Sequence, residues 1–325
     1  MLPYFSIIIP MYNRVDFITR AIHSCLQQDF DNFEIIVVDD GSTDQSVDVV
    51  KGYIDSRIKL ICHDVNRGVG PARNTGIDAA VGEWVICFDS DDELVPEALS
   101  VIYRRSREVD ESVSRLLFMV QIDTGEFSPD PSLENEFLDY IKYIKWMEKS
   151  CGYLSETLPV DRRVAFEKVR YYNDRTLEGL YHLDFMKQFN AWSFPDVVRL
   201  YHQDAENQLT KPNMSRTIEY ALTQVLSSEL LLRNHGEALK VYAPHIYRKQ
   251  ISGLATLCFL SGNRLKGIKY SVSSIVSNFF SLRYWVILIF GLLGPKPLSW
   301  LKSIRIPERS KALMKKKVEI KNPER

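Results

Sequence analysis

Short β-branched runs that end in polar turns dominate the first ~105 residues, and this pattern leaves few folds open. Phe5–Ile9 leads into Pro10-Met11-Tyr12-Asn13, Glu34–Val38 into Asp39-Asp40-Gly41-Ser42, and Trp84–Phe88 into Asp89-Ser90-Asp91-Asp92. Such runs read as strands buried on both faces. Amphipathic segments lie between them. Asp16–Gln27 carries Ile18, Ala21, Ile22, Cys25 and Leu26 at helical spacing. Ser42, Thr43 or Asp44 can cap a second helix whose apolar stripe is Val47, Val50 and Ile54. Ile58–Cys62 is a further strand, Pro71 suits the first turn of a helix running to about Ala80, and Pro96 opens a helix with Leu99, Ile102 and Tyr103. Strands alternating with helices at this spacing build βαβ units around a mostly parallel sheet. Ligands of such sheets collect beyond the carboxyl ends of the strands, so three polar turns are expected to share one rim.

The chemistry of those turns follows from their residue types. Three carboxylates within Asp89-Ser90-Asp91-Asp92 repel one another, and a divalent cation is the simplest compensation. Hard oxygen ligands suit Mg²⁺ or Mn²⁺, with phosphates completing the shell. A bland alternative is a solvated acidic turn ahead of the Pro96 helix. Asp39, at a strand end, can accept from a base N–H or a ribose hydroxyl, while Gly41 permits a tight turn. Asn66-Arg67-Gly68-Val69-Gly70-Pro71-Ala72-Arg73-Asn74 puts Arg73 near a helix N-terminus, which favours anions. A dinucleotide-binding fingerprint would require glycine at position 73 and a place after the first strand, so that reading is rejected.

Taken together, Ile7-Ile8-Ile9-Pro10-Met11-Tyr12-Asn13, Ile35–Asp44, Asn66-Arg67-Gly68 with Ala72-Arg73-Asn74, and Phe88–Asp92 resemble the inverting family 2 glycosyltransferases in order and spacing. The close resemblance covers residues 5–96. It implies a GT-A fold, an α/β nucleotide-diphospho-sugar transferase architecture. It implies that Pro10, Tyr12 and Asn13 line the nucleotide pocket, that Asp39 bonds the base (typically uracil), and that Arg73 lies near the nucleotide. It further implies that Asp89 approaches the ribose and that Asp91 holds the metal bridging the diphosphate. Inversion requires a base opposite the leaving group. The family's Glu-Asp pair aligns with Glu178 and Gly179, so glycine stands where the usual base would be. Glu178 is the first candidate base, followed by Asp174 and Asp184, with His182 one helical turn away to orient it. Val198–His202 resembles the strand and turn that close the family's site, which makes His202 a candidate for the diphosphate or the metal together with Asp89 and Asp91.

Residues 1–215 are therefore expected to form the transferase domain, with 1–105 as the nucleotide half and 106–215 as the acceptor half. A strand is predicted over 114–122 and a helix over Glu134–Lys149. Residues 216–325 are expected to be a helical extension. Its Phe279–Leu293 stretch is too short to span a membrane comfortably and reads as an interfacial helix. From Lys296 to Arg325 ten Lys or Arg face three Glu, a basic tail suited, with Trp285 and Trp300, to an anionic surface. A helix packed on the catalytic domain is the alternative. The five cysteines are scattered, and residues 1–10 lack a signal peptide, so a reducing, cytoplasmic setting at the inner face of the cell membrane is expected. A net charge of -1 points to no nucleic-acid partner. Asn213-Met214-Ser215 matches a glycosylation sequon of no consequence in that setting.

The functional expectation is transfer of a sugar from a UDP-sugar to a glycan or lipid-linked hydroxyl, with Mn²⁺ or Mg²⁺ as cofactor, in polysaccharide or lipid-linked oligosaccharide assembly. A sugar-nucleotide nucleotidyltransferase is the second reading, but it would need a Gly-rich basic loop where Pro10–Asn13 stands. An inactive nucleotide-binding scaffold is the third, motivated by Gly179.

Overall fold

The computed structural model describes residues 2–130, 132–150, 156–174, 177–204, 218–294 and 297. Among the described residues ten strands form one sheet in the order β3-β2-β1-β4-β9-β6-β10-β5, with β7 on β6 and β8 on β10. They are β1 (Phe5–Met11), β2 (Phe33–Asp39), β3 (Ile58–Cys62), β4 (Trp84–Cys87), β5 (Glu93–Leu94), β6 (Val113–Ile122), β7 (Phe127–Ser128), β8 (Glu136–Leu138), β9 (Leu158–Arg162) and β10 (Asn190–Tyr201). The expected parallel half is present: β2 pairs with β3 and β1, and β1 with β4, all parallel. Beyond β4 the sheet is mixed. β9 runs antiparallel between β4 and β6, and β10 is parallel to β6.

Each central strand feeds two cores because successive side chains point to opposite faces. Ile7, Ile9, Ile35 and Val37 join the core under α1 (Ile18–Leu26), α2 (Ser46–Lys51) and α4 (Ala98–Ser106). Ile8, Ile36 and Val38 face the other core, shared with α3 (Val69–Ala79), α5 (Tyr140–Lys149) and α6 (Glu178–Gln188). Close approach sets the position of α3. A Cβ on Gly76 would lie 2.3 Å from Ile8 Cγ2, and one on Gly70 only 1.8 Å from the Tyr172 carbonyl oxygen. The start of α3 thus meets the 171–174 segment backbone to backbone, which brings Arg73 beside the start of α6.

Two sequence expectations change. The predicted 134–149 helix begins only at Tyr140, because Glu136–Leu138 pairs with β10 and Asp139 then caps α5 by accepting from the Lys142 amide at 2.8 Å. The second helix stops at Lys51, so Ile54 is fully exposed and plays no part in its stripe. In β10 the register with β6 slips between Phe194 and Val197 and again before Arg199. Pro195 sits inside the first slip, where its missing N–H costs no ladder bond.

The chain divides into two compact units, residues 1–214 with 229–247, and 215–228 with 248–325. Helix α7 (Ile218–Tyr242) contributes to both, and α8 (Pro244–Leu260), α9 (Arg264–Ser277) and α10 (Leu282–Leu293) follow. In the first unit His235 of α7 is buried, bonding Tyr140 at 2.7 Å and Asp184 at 2.9 Å. Asp184 also accepts from Tyr172 at 2.5 Å. In the second, Phe259 lies against Gly267 and Gly291, each within 2.7 Å of a would-be Cβ. No helix among the described residues is long and apolar enough to cross a membrane. The expectations for Trp300, for the Asn213 sequon and for the basic stretch after Gly294 fall outside the described residues, Pro297 excepted.

Candidate active site

The turns after β1 and β2 are tied together at the sheet rim. Asn13, at φ 50°, donates its amide to Ser42 Oγ at 2.9 Å and accepts at Oδ1 from the Thr43 amide at 2.8 Å. Pro10 is buried next to the end of β1, while Tyr12, just past it, is exposed. Asp40 builds the loop rather than the pocket: it accepts from His63 at 2.7 Å and from the Arg67 and Gly68 amides at 3.0 and 2.7 Å. Asp39 differs. Its Oδ2 accepts from the Ser42 amide at 3.1 Å, but its Oδ1 is buried with no partner among the described residues. A buried carboxylate oxygen left unpaired is costly, and an incoming N–H donor would satisfy it.

Below this turn lies an alternating array of charges. Asp89 stands between two guanidinium groups, with Arg73 Nη2 at 3.0 Å and Arg199 Nη1 at 3.5 Å. The other nitrogen of Arg73 bonds Glu178 Oε1 at the first turn of α6, and that of Arg199 bonds Glu156 Oε2 at 3.0 Å. The order is Glu178, Arg73, Asp89, Arg199, Glu156. Both arginines are almost wholly buried, which by itself disfavours their charge. Glu178 and Asp89 outweigh that for Arg73, as Asp92, Glu156 and Asp89 do for Arg199, and both stay protonated. Asp92 is fully buried, which pushes its carboxyl up against the pull of Arg199 3.4 Å away.

Comparison with known proteins bears on this rim. The Glycosyl transferase family 2 model matches residues 6–170. The chain belongs to this family. It is 27% identical to the uncharacterized glycosyltransferase EpsJ of Bacillus subtilis over 297 residues, 85% of this chain and 84% of that one. It is 42% identical to the succinoglycan biosynthesis protein ExoO of Rhizobium meliloti over 104 residues, 32% of this chain and 30% of that one. The chain spans only 30% to 42% of the length of ExoO and two further curated relatives. Among solved structures it resembles S. aureus TarS in complex with UDP-GlcNAc, at TM-score 0.56 and 21% identity, covering 85% of this chain and 81% of that one. That likeness establishes the GT-A type of fold.

In this family 2 chain, the structure brings Asp39, Arg73, Asp89, Asp91 and Glu178 to one rim and separates other expected residues from it. Among the described residues the Asp91 carboxylate pairs with Arg14, its Nε at 3.9 Å, and Arg20 bonds the Asp91 backbone carbonyl. Burial, with Asp89 beside it, pushes the Asp91 carboxyl up. Among the described residues no three His, Cys, Asp or Glu converge to hold a metal ion unaided. Asp91 fits instead a cation shared with phosphate oxygens, since Mg²⁺-type sites commonly use one or two carboxylates plus substrate phosphates. His202 stands against the same acidic turn: its ring bonds Glu93 at 2.8 Å and its amide donates to Asp92 at 3.0 Å. His182 does not orient Glu178; its Nδ1 accepts from Arg115 at 3.2 Å. Asp174 lines a small cleft with Gly70, Arg73, Tyr172 and Glu178, whereas Asp184 is spent on His235 and Tyr172. Sequence reasoning missed Arg199 and Glu156. Arg199 had a signal, a charge between Val198 and Leu200 in an apolar strand; Glu156 had none.

Proposed function

We propose that the chain transfers a sugar from a UDP-sugar to a hydroxyl acceptor with inversion. The observation that carries this is the unpaired buried Oδ1 of Asp39, positioned to accept a base N–H such as that of uracil. Pro10, Tyr12 and Asn13 form the adjoining wall, Asp89 approaches the ribose, and Arg73 lies by the nucleotide. Asp91 would hold Mn²⁺ or Mg²⁺, which when bound would supply positive charge to the departing diphosphate. Glu178 takes the proton of the acceptor hydroxyl. That oxygen attacks the anomeric carbon from the face opposite the diphosphate as the sugar–phosphate bond breaks. Arg73 is fixed by Asp89 and by the Tyr171 ring 5.0 Å away, and so keeps the base carboxylate in place. Calorimetric titration of UDP with Mn²⁺ tests the reading: Asp39→Ala should weaken binding by about 10- to 100-fold, the loss of a buried hydrogen bond to a charged group. Equal affinity in wild type and variant would overturn it.

We also propose that the second unit rests on an anionic bilayer, which suits a lipid-linked acceptor at the inner face of the cell membrane. Tyr284, Ile287 and Gly291 form the buried face of α10, while Leu282, Trp285, Ile289 and Leu293 on its other side are 36–76% exposed. A helix that is apolar but for Arg283 and the Tyr284 hydroxyl, with a bare face and followed by a sequence segment of net charge +7, matches an interfacial helix beside acidic headgroups. Vesicles containing phosphatidylglycerol should cosediment the protein, and Leu282→Asp with Ile289→Asp should reduce binding by about tenfold or more. Unchanged binding by the double variant would exclude this face. The acceptor class is in keeping with polysaccharide assembly, the process in ExoO's name.

A further inference from the structure

A third buried guanidinium, besides Arg73 and Arg199, lies beneath the active rim. Arg115 of β6 is 0% exposed and grips Asp161 of β9 through two bonds of 2.7 and 2.8 Å. Among the described residues its other hydrogen bonds and ring contacts go to one element. Nη1 donates to His182 Nδ1 at 3.2 Å, Nη2 approaches the Tyr181 hydroxyl at 3.4 Å, and the guanidinium lies 3.8 Å from the Phe185 ring centre. All three residues belong to α6, the helix that begins with Glu178. Tyr181 stacks on Tyr171 at 3.9 Å, and Arg73 lies over Tyr171 at 5.0 Å. An unbroken column of rings and guanidinium groups therefore joins buried Asp161 to the carboxylate at the rim. Helix α6 is held twice, by Arg73 at Glu178 and by Arg115 one turn later.

The contact with Arg115 also decides the chemistry of His182. A guanidinium only donates, so Nδ1 must present its lone pair and the ring proton sits on Nε2. Protonation of Nδ1 would oppose two N–H groups. Burial, then the charges of Arg115 and Arg73, hold the imidazole neutral. His182 is therefore neither a general acid nor a general base near neutral pH.

We propose that Arg115 is a positioning residue: through His182 and Tyr181 it sets the roll of α6 and so the placement of the Glu178 carboxylate, a role that rests on Glu178 being the acceptor base. Four variants test it in one transfer assay with UDP affinity measured alongside. His182→Gln keeps an oxygen that accepts from Arg115, so kcat should stay within about threefold and the pH profile should be unchanged. His182→Leu leaves the Arg115 N–H unpaired, so kcat should fall by about 10- to 100-fold at constant UDP affinity. Arg115→Met combined with Asp161→Leu removes both buried charges and should fold, since apolar replacement of a buried pair is often tolerated. Its kcat should fall as in His182→Leu. The inference is overturned if His182→Gln is as slow as His182→Leu or loses a limb of the pH profile, or if the double variant turns over like wild type. Glu178→Gln separates the two readings. If Glu178→Gln is inactive while His182→Leu is fully active, only the positioning role fails. If Glu178→Gln is itself fully active, the base assignment fails and the positioning role with it.

Discussion

Asp91→Ala is expected to abolish the metal-dependent part of UDP binding and to lower transfer by about a thousandfold or more, the factor that ~4 kcal/mol of lost charge stabilisation represents. The effect should be confined to ligand binding. Among the described residues the Asp91 carboxylate has one ion pair, with Arg14 Nε at 3.9 Å, so removing it breaks no short salt bridge, and the melting temperature should change little. Asp89→Ala makes a useful contrast, because it would leave Arg73 and Arg199 without their shared carboxylate and should destabilise the protein. Calorimetry of UDP with and without Mn²⁺, alongside turnover, reads the difference. Mn²⁺-dependent binding that survives in Asp91→Ala would remove the aspartate from the metal site.

Glu178→Gln is expected to lower kcat by about 10²- to 10⁴-fold with UDP affinity nearly unchanged. Glutamine retains an oxygen for Arg73, so the rim keeps its shape while the base loses its ability to take a proton. A glutamine variant that turns over normally would move the base elsewhere, and the array itself names the next residue. Glu156 is the carboxylate on the other flank of Asp89, held by Arg199. Burial, opposed by Arg199 and aided by Asp89 and Glu178, pushes its carboxyl up.

The parts of the fold legible in the sequence were those with a local cause. β1, β2 and β4 announce themselves as β-branched or aromatic runs, and the polar turns after them reach the rim because parallel strands end on the same side. Ile18, Ala21, Ile22 and Cys25 reveal α1 by spacing alone, and all four are buried. Local periodicity failed where a long-range partner decided the outcome. Glu136–Leu138 has helical company but pairs with β10 more than fifty residues later.

The chain by itself determined its α/β class, its family and the turns that carry Asp39, Asp89 and Asp91, because strand patterning and turn chemistry are written within a few neighbouring residues. Only tertiary structure decided what those residues touch. Arg73 meets Glu178 across 105 positions, Arg115 meets Asp161 across 46, and Arg199 meets Glu156 across 43. Buried charges must find opposite charges wherever the fold places them, and no local pattern records that search. For the same reason His182, which on helical spacing alone belongs to Glu178, is held instead by a buried arginine from a strand.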